Sequence, residues 1–155
     1  MSIMAHKKTK TSMCIITAGY QAETSTALEI PLLSTYVAAG FPSPADDHFE
    51  ETLDLNSYLI THPAATFFVR VEGESMINAG IRPGDMLVVD RSLPIKENAI
   101  VIAYINGEFT VKRIATKQGR QYLCAENEAF APIAITKEMD IELWGVVSYV
   151  IHKAT

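Results

Sequence analysis

The 155-residue sequence is short of several things, and each shortage closes a class of protein. Two cysteines, Cys14 and Cys124, are too few for a disulfide framework and suit a reducing compartment. No apolar run approaches the ~20 residues that span a bilayer. After Lys7, Lys8 and Lys10, the stretch Met13–Ala18 imitates the core of a secretory signal, but it is shorter than the usual minimum of about 7 residues. The chain is therefore predicted to be cytoplasmic and to make no membrane contact. Gly-rich phosphate loops and HExxH are missing, and Gly73-Glu-Ser75-Met-Ile77 lacks the second glycine of a nucleophile elbow. The cysteines lie far apart with no histidine at ligand spacing, so neither a zinc site nor any cofactor is expected. Basic charge is also scarce: 13 Lys and Arg face 18 Asp and Glu, a net charge of −5. Coating nucleic acid needs a dense basic face, so that role is excluded as the main one.

What is present reads as globular: 48% hydrophobic and 20% charged residues. A chain of this size buries enough surface to hold a core without metal or disulfide. Residues 1–28 show neither a helix face nor a strand alternation, and Thr9–Thr26 is rich in Thr, Ser and Ala; this segment reads as a flexible arm. Leu28–Ala39 is more apolar and fits either a short helix or an extended segment. Gly40-Phe-Pro-Ser-Pro44 then breaks any regular structure. The predicted division is an N-terminal arm, 1–44, and a domain, 45–155.

Within the domain, Leu53–Ile60 predicts a short helix with Asp54 or Asn56 as its cap. Strand-like runs follow: Thr66–Val71, Met86–Asp90, Ala99–Ile105, Glu108–Ile114, Gln121–Cys124 and Ile141–Ile151. Asn106-Gly107 between two of them is a strong hairpin signal, and Pro83-Gly84-Asp85 is a second turn. Many short strands with little helix predict a mostly-β fold, a twisted barrel or pair of packed sheets.

The four histidines, His6, His48, His62 and His152, are scattered through expected loops and tails and read as surface residues. Two side chains remain as candidates for chemistry. Ser75 follows the first of these strands, where Gly73 permits a tight turn that aims backbone N–H groups beside the hydroxyl. Lys112 lies in Glu108-Phe-Thr-Val-Lys-Arg-Ile114. Alternation puts Thr110, Lys112 and Ile114 on one face and Phe109, Val111 and Arg113 on the other, so one of the adjacent cations must point inward. Lysine can give up its proton when buried; arginine cannot. Residue chemistry alone leaves the plain alternative open, a turn serine and a surface lysine laid along apolar neighbours.

An ordered set of motifs goes further. Val37-Ala-Ala-Gly40, Phe41-Pro-Ser-Pro44, Gly73-Glu-Ser-Met76, Gly80-Ile81, Gly84-Asp-Met-Leu-Val-Val-Asp90 and Phe109-Thr-Val-Lys-Arg113 resemble the LexA/UmuD family of self-cleaving proteins. The likeness spans roughly Leu28–His152. Gly40–Pro44 and His62–Phe67 look like the UmuD/MucA branch. The resemblance implies a LexA-like β domain with a Ser–Lys dyad: Ser75 as nucleophile and Lys112, 37 residues later, as general base. Free lysine, with a pKa of ~10.4, is protonated at neutral pH, so the role requires a desolvating pocket, which Val111 and Ile114 fit. Backbone N–H groups of Glu74 and Ser75 are the implied oxyanion donors. The implied scissile bond is Ala39–Gly40, with Val37 as an apolar anchor upstream. Glu74 beside the nucleophile is a departure; its carboxylate should face solvent, since near Lys112 it would hold the ammonium form.

The resemblance also implies an SOS-mutagenesis role. Cleavage would follow engagement of a RecA–single-stranded-DNA filament. The shortened chain would form homodimers, with Trp144 either at that interface or in the core. It would then serve a UmuC-like Y-family polymerase, with the processivity clamp a further candidate partner and no sequence-specific DNA contact of its own. Ile30–Leu33 suits either clamp docking or an apolar cover for the domain. Met4 and Met13 are alternative starts, and the arm is longer than that branch's norm. Two other readings are a LexA-like or phage-type repressor fragment and a non-catalytic polymerase- or clamp-binding β module. Residues 1–39 are too short and too weakly periodic for the three-helix DNA-binding module the first needs, and retention of both Ser75 and Lys112 weighs against the second.

Overall fold

A computed structural model describes residues 14–27, 29–32 and 51–155. Val37, Ala39 and Gly40 lie outside the described residues, as do His6, His48 and Leu33. The division of the chain at residue 44 falls there too.

The architecture is mostly β, as the many short strand-like runs predict. Strands β1 (Ile15–Gln21), β2 (Glu29–Leu32) and β3 (Glu51–Asp54) precede a five-residue helix, α1 (Leu55–Leu59). Then come β4 (Thr66–Glu72), β5 (Met86–Asp90), β6 (Ile100–Ile105), β7 (Glu108–Lys117), β8 (Arg120–Cys124), β9 (Ile133–Ala134) and β10 (Ile141–Ile151). The main sheet runs β1-β4-β5-β10-β6-β7-β8-β9, all antiparallel. A further pairing of β1 with β7, at Ile15 opposite Thr110, closes the first six into a barrel. β8 and β9 extend the wall beyond β7, and β2 and β3 form a separate ribbon.

Local chemistry explains the connections. Asp54 caps α1 by accepting from the Asn56 N–H at 3.1 Å and the Ser57 hydroxyl at 2.7 Å. Asn106 and Gly107, with φ of 48° and 94°, make the two-residue turn between β6 and β7. Long β10 pairs with β6 along its first half and β5 along its second, and bulges at Trp144 and Ser148 bend it between the two. Gly145 sits at that bend; a Cβ there would lie 2.7 Å from Val89 Cγ1.

Two apolar clusters hold the walls. One gathers Val69, Val71, Leu87, Val89, Ile102 and Val111 with Met76, Ile81 and Cys14. The other joins Val101, Ala103, Ile114 and Leu123. Trp144 packs against the first cluster, its ring centroid 5.1 Å from Phe67 and 6.1 Å from Phe109, with the Arg91 guanidinium 4.7 Å above it.

One expectation is corrected. Residues 1–28 read as a flexible arm, yet Ile15–Gln21 is a strand of the barrel, paired with β4 from Ile15 opposite Glu72 to Gln21 opposite Phe67. The register shifts between Ile16 and Ala18. That bulge interrupts the alternation by which a strand is recognised in a sequence.

Candidate active site

Ser75 follows β4 and Lys112 lies on β7, the two strands that flank β1. After β4 ends, Gly73 takes φ 90°, a left-handed value that a side chain would strain. The chain turns sharply, closed by the Ile77 N–H donating to the Glu74 carbonyl at 3.2 Å. Asn127 Nδ2 holds the same carbonyl from across the turn at 2.9 Å. Ser75 lies inside this turn and is fully buried.

On β7 the alternation chooses the lysine. Lys112 is 1% exposed, and its cross-strand neighbour is Val101 of the second cluster. Arg113 points the other way, to the Glu126 carboxylate and, at 2.7 Å, the Asn98 carbonyl. The Lys112 Nζ donates to Thr110 Oγ1 at 2.9 Å and to the Val111 carbonyl at 3.4 Å. Among the described residues no carboxylate forms a salt bridge with it. Burial therefore pushes its pKa below the ordinary lysine value, with the Cys14 thiol acting weakly in the opposite sense. Glu74 is half-buried and forms no salt bridge with Lys112.

Ser75 and Lys112 are joined through a strand lying between them. The Cys14 N–H donates to Ser75 Oγ at 2.7 Å. The Cys14 carbonyl accepts the Thr110 hydroxyl at 2.8 Å, and that hydroxyl accepts from Lys112. Thr110 is thus the link in this network. Sequence reasoning had placed it on the face of Lys112 without giving it a role. Cys14, read only as a free thiol, contributes its backbone and lies at the junction, with its Sγ on the Gly73 carbonyl at 3.4 Å.

Two of the histidines that read as surface residues each hold a buried carboxylate. His62 Nδ1 meets the buried Asp90 carboxylate at 2.6 Å, and His152 Nδ1 meets buried Asp85 at the same distance. Among the described residues no group of His, Cys, Asp and Glu is arranged to hold a metal. Nor is any helix there long and apolar enough to cross a membrane.

The described site is thus a buried serine on a glycine turn and a desolvated lysine on β7, on either side of Cys14 in a closed antiparallel barrel. The chain belongs to the Peptidase S24-like family, which matches residues 31–148. It is 47% identical to Protein ImpA of Salmonella typhimurium over 129 residues, covering 79% of this chain and 83% of that protein. Protein MucA of Escherichia coli is 43% identical over 121 residues, 77% of this chain and 82% of that one. The LexA repressor of Colwellia psychrerythraea is 40% identical over 116 residues, 73% of this chain but 54% of the repressor. The LexA/UmuD-type resemblance is therefore a family membership, and the family makes the chain a serine peptidase by kind.

Proposed function

We propose that this chain cleaves itself at Ala39–Gly40 and that the product, Gly40–Thr155, is an accessory subunit for an error-prone Y-family polymerase. Residues 1–44 act as the arm carrying the bond and 45–155 as the peptidase domain. Ser75 Oγ attacks the Ala39 carbonyl while neutral Lys112 takes its proton; the Ala39–Gly40 bond breaks, Lys112 passes the proton to the departing Gly40 amine, and water then hydrolyses the Ser75 ester of Ala39. Backbone N–H groups of Glu74 and Ser75 receive the developing oxyanion. Ala39 offers a small side chain and Gly40 a backbone free to turn, with Val37 as the upstream anchor. Because bond and nucleophile share one chain, a high effective concentration offsets a weak base.

The observation that carries this reading is the burial of the Lys112 amine with no carboxylate partner among the described residues. A charged lysine so placed is costly to the fold, and a functional need for neutral amine accounts for its retention. No cofactor enters any step. Similarity to ImpA and MucA supports the SOS-mutagenesis setting. In that setting the chain works in the cytoplasm as a homodimer. A RecA–single-stranded-DNA filament triggers cleavage, and a UmuC-like polymerase, with its clamp, receives the product.

The test is intact-mass measurement of pure protein incubated in mildly alkaline buffer. A fragment beginning at Gly40, absent from Ser75→Ala, is the expected result. An intact chain after prolonged incubation with and without RecA filament would overturn the reading.

A further inference from the structure

The segment beside Ser75 is Cys14–Gln21, about twenty residues upstream of the bond proposed for cleavage. We propose that β1 is a pseudosubstrate, an extended peptide of this chain bound in the active-site cleft in a register that cannot be cut, which must leave before any carbonyl reaches Ser75. The cleft is the gap between β4 and β7, and it takes a peptide by strand addition. β1 lies along β4 from Glu72 to Phe67 and reaches β7 at Thr110. Without it the β4 edge and the Thr110 hydroxyl would stand open to another extended segment.

Two contacts make the occupancy inhibitory. Ser75 Oγ accepts the Cys14 N–H at 2.7 Å, which engages a lone pair the oxygen needs for attack. Thr110 donates its single hydroxyl proton to the Cys14 carbonyl, so Lys112 is bound to a group already committed to the strand.

The strand also has the composition of a substrate. Ile16-Thr-Ala-Gly-Tyr20 repeats the apolar, small, Ala, Gly, aromatic order of Val37-Ala-Ala-Gly-Phe41. Its Ala18–Gly19 bond is not at the nucleophile. Ala18 and Gly19 stand opposite Arg70 and Val69, while Cys14 stands at Ser75. Four residues of extended chain set that bond roughly 13 Å from the hydroxyl. The cleft thus accepts a substrate-like strand and holds it out of place.

The inhibitory consequence rests on the self-cleavage reading; the occupancy of the cleft does not, and the two are measured separately. In the full chain, Ile16→Asp puts a carboxylate where Ile16 packs against the core, and Gly19→Pro removes an N–H at an exposed position of β1. The occupancy readout is the rate at which a fluorophosphonate probe labels Ser75, with the adduct mapped by mass. At least tenfold faster labelling in both variants is expected. A Tyr20→Cys/Phe68→Cys pair, opposite one another in the ladder, covers the case where loosening unfolds the protein. Oxidation should slow labelling at least tenfold, and reductant should restore it. Unchanged labelling in the loosened and locked variants overturns the pseudosubstrate, as does a fragment beginning at Gly19. Faster labelling of the loosened variants with no Gly40 fragment from any of them supports the pseudosubstrate and overturns the cleavage reading instead.

Discussion

Lys112 ties catalysis and stability to the same proton, so one titration tests both. Its folded-state pKa lies below that of free lysine because burial penalises the ammonium. Below that folded pKa the residue is charged in both folded and unfolded chains, and the cost of burying the charge weighs fully on the fold. Between it and ~10.4 the unfolded chain binds a proton that the folded chain has shed, so stability rises with pH. The slope from this one group approaches about 1.4 kcal/mol per pH unit in that window and vanishes above it. Lys112→Met keeps the volume and removes the group. On a Ser75→Ala background, which keeps the chain intact, urea unfolding from pH 7 to about 10.5 should show the lysine protein gaining on the methionine protein as pH rises. At neutral pH the methionine protein should be the more stable. Cleavage by the native chain should follow the same proton. Its first-order rate should climb about tenfold per pH unit below the folded pKa and level off above it. Lys112→Arg should be inactive throughout, since guanidinium stays charged. Parallel pH–stability curves, or an active Lys112→Arg, would refute the claim that this amine is buried and acts as the base.

Ser75→Ala should abolish cleavage while leaving the circular dichroism spectrum unchanged. It should also lower stability by about 1–3 kcal/mol, because the Cys14 N–H loses its buried acceptor; continued cleavage would remove Ser75 from the mechanism. Gly40→Glu should block cleavage while Ser75 still takes a small serine-directed probe, and a normal Gly40→Glu rate would move the scissile bond elsewhere. Gly145→Ala should destabilise the barrel by about 1–3 kcal/mol, read as a lower urea midpoint, because its Cβ would press into Val89 Cγ1; an unchanged midpoint would show that β10 relaxes at its bulge.

Much of the barrel was legible in the sequence because strands and tight turns are local. Short strand-like runs bounded by turn residues marked β4 to β8 and β10 to within a few residues, and Asn106-Gly107 marked the hairpin between β6 and β7. Ser75 and Lys112 were nominated by motif order, and β7 alternation showed that only one of Lys112 and Arg113 turns inward. Which one did so was a tertiary matter, decided where Lys112 lies opposite Val101 while Arg113 reaches Glu126 and Asn98. β1 was invisible for a related reason. Its pattern is broken by the bulge after Ile16, its central residues Thr17-Ala-Gly19 are small, and its pairing partner lies some fifty residues away. Which distant strand a segment pairs with is not written in its own sequence. The same holds for Thr110 and Cys14, whose contact spans 96 positions and exists only because the barrel closes there. The residue types that chemistry needs are written along the chain. Which of them are desolvated, and what strand covers them, follows from the packing of distant segments against one another.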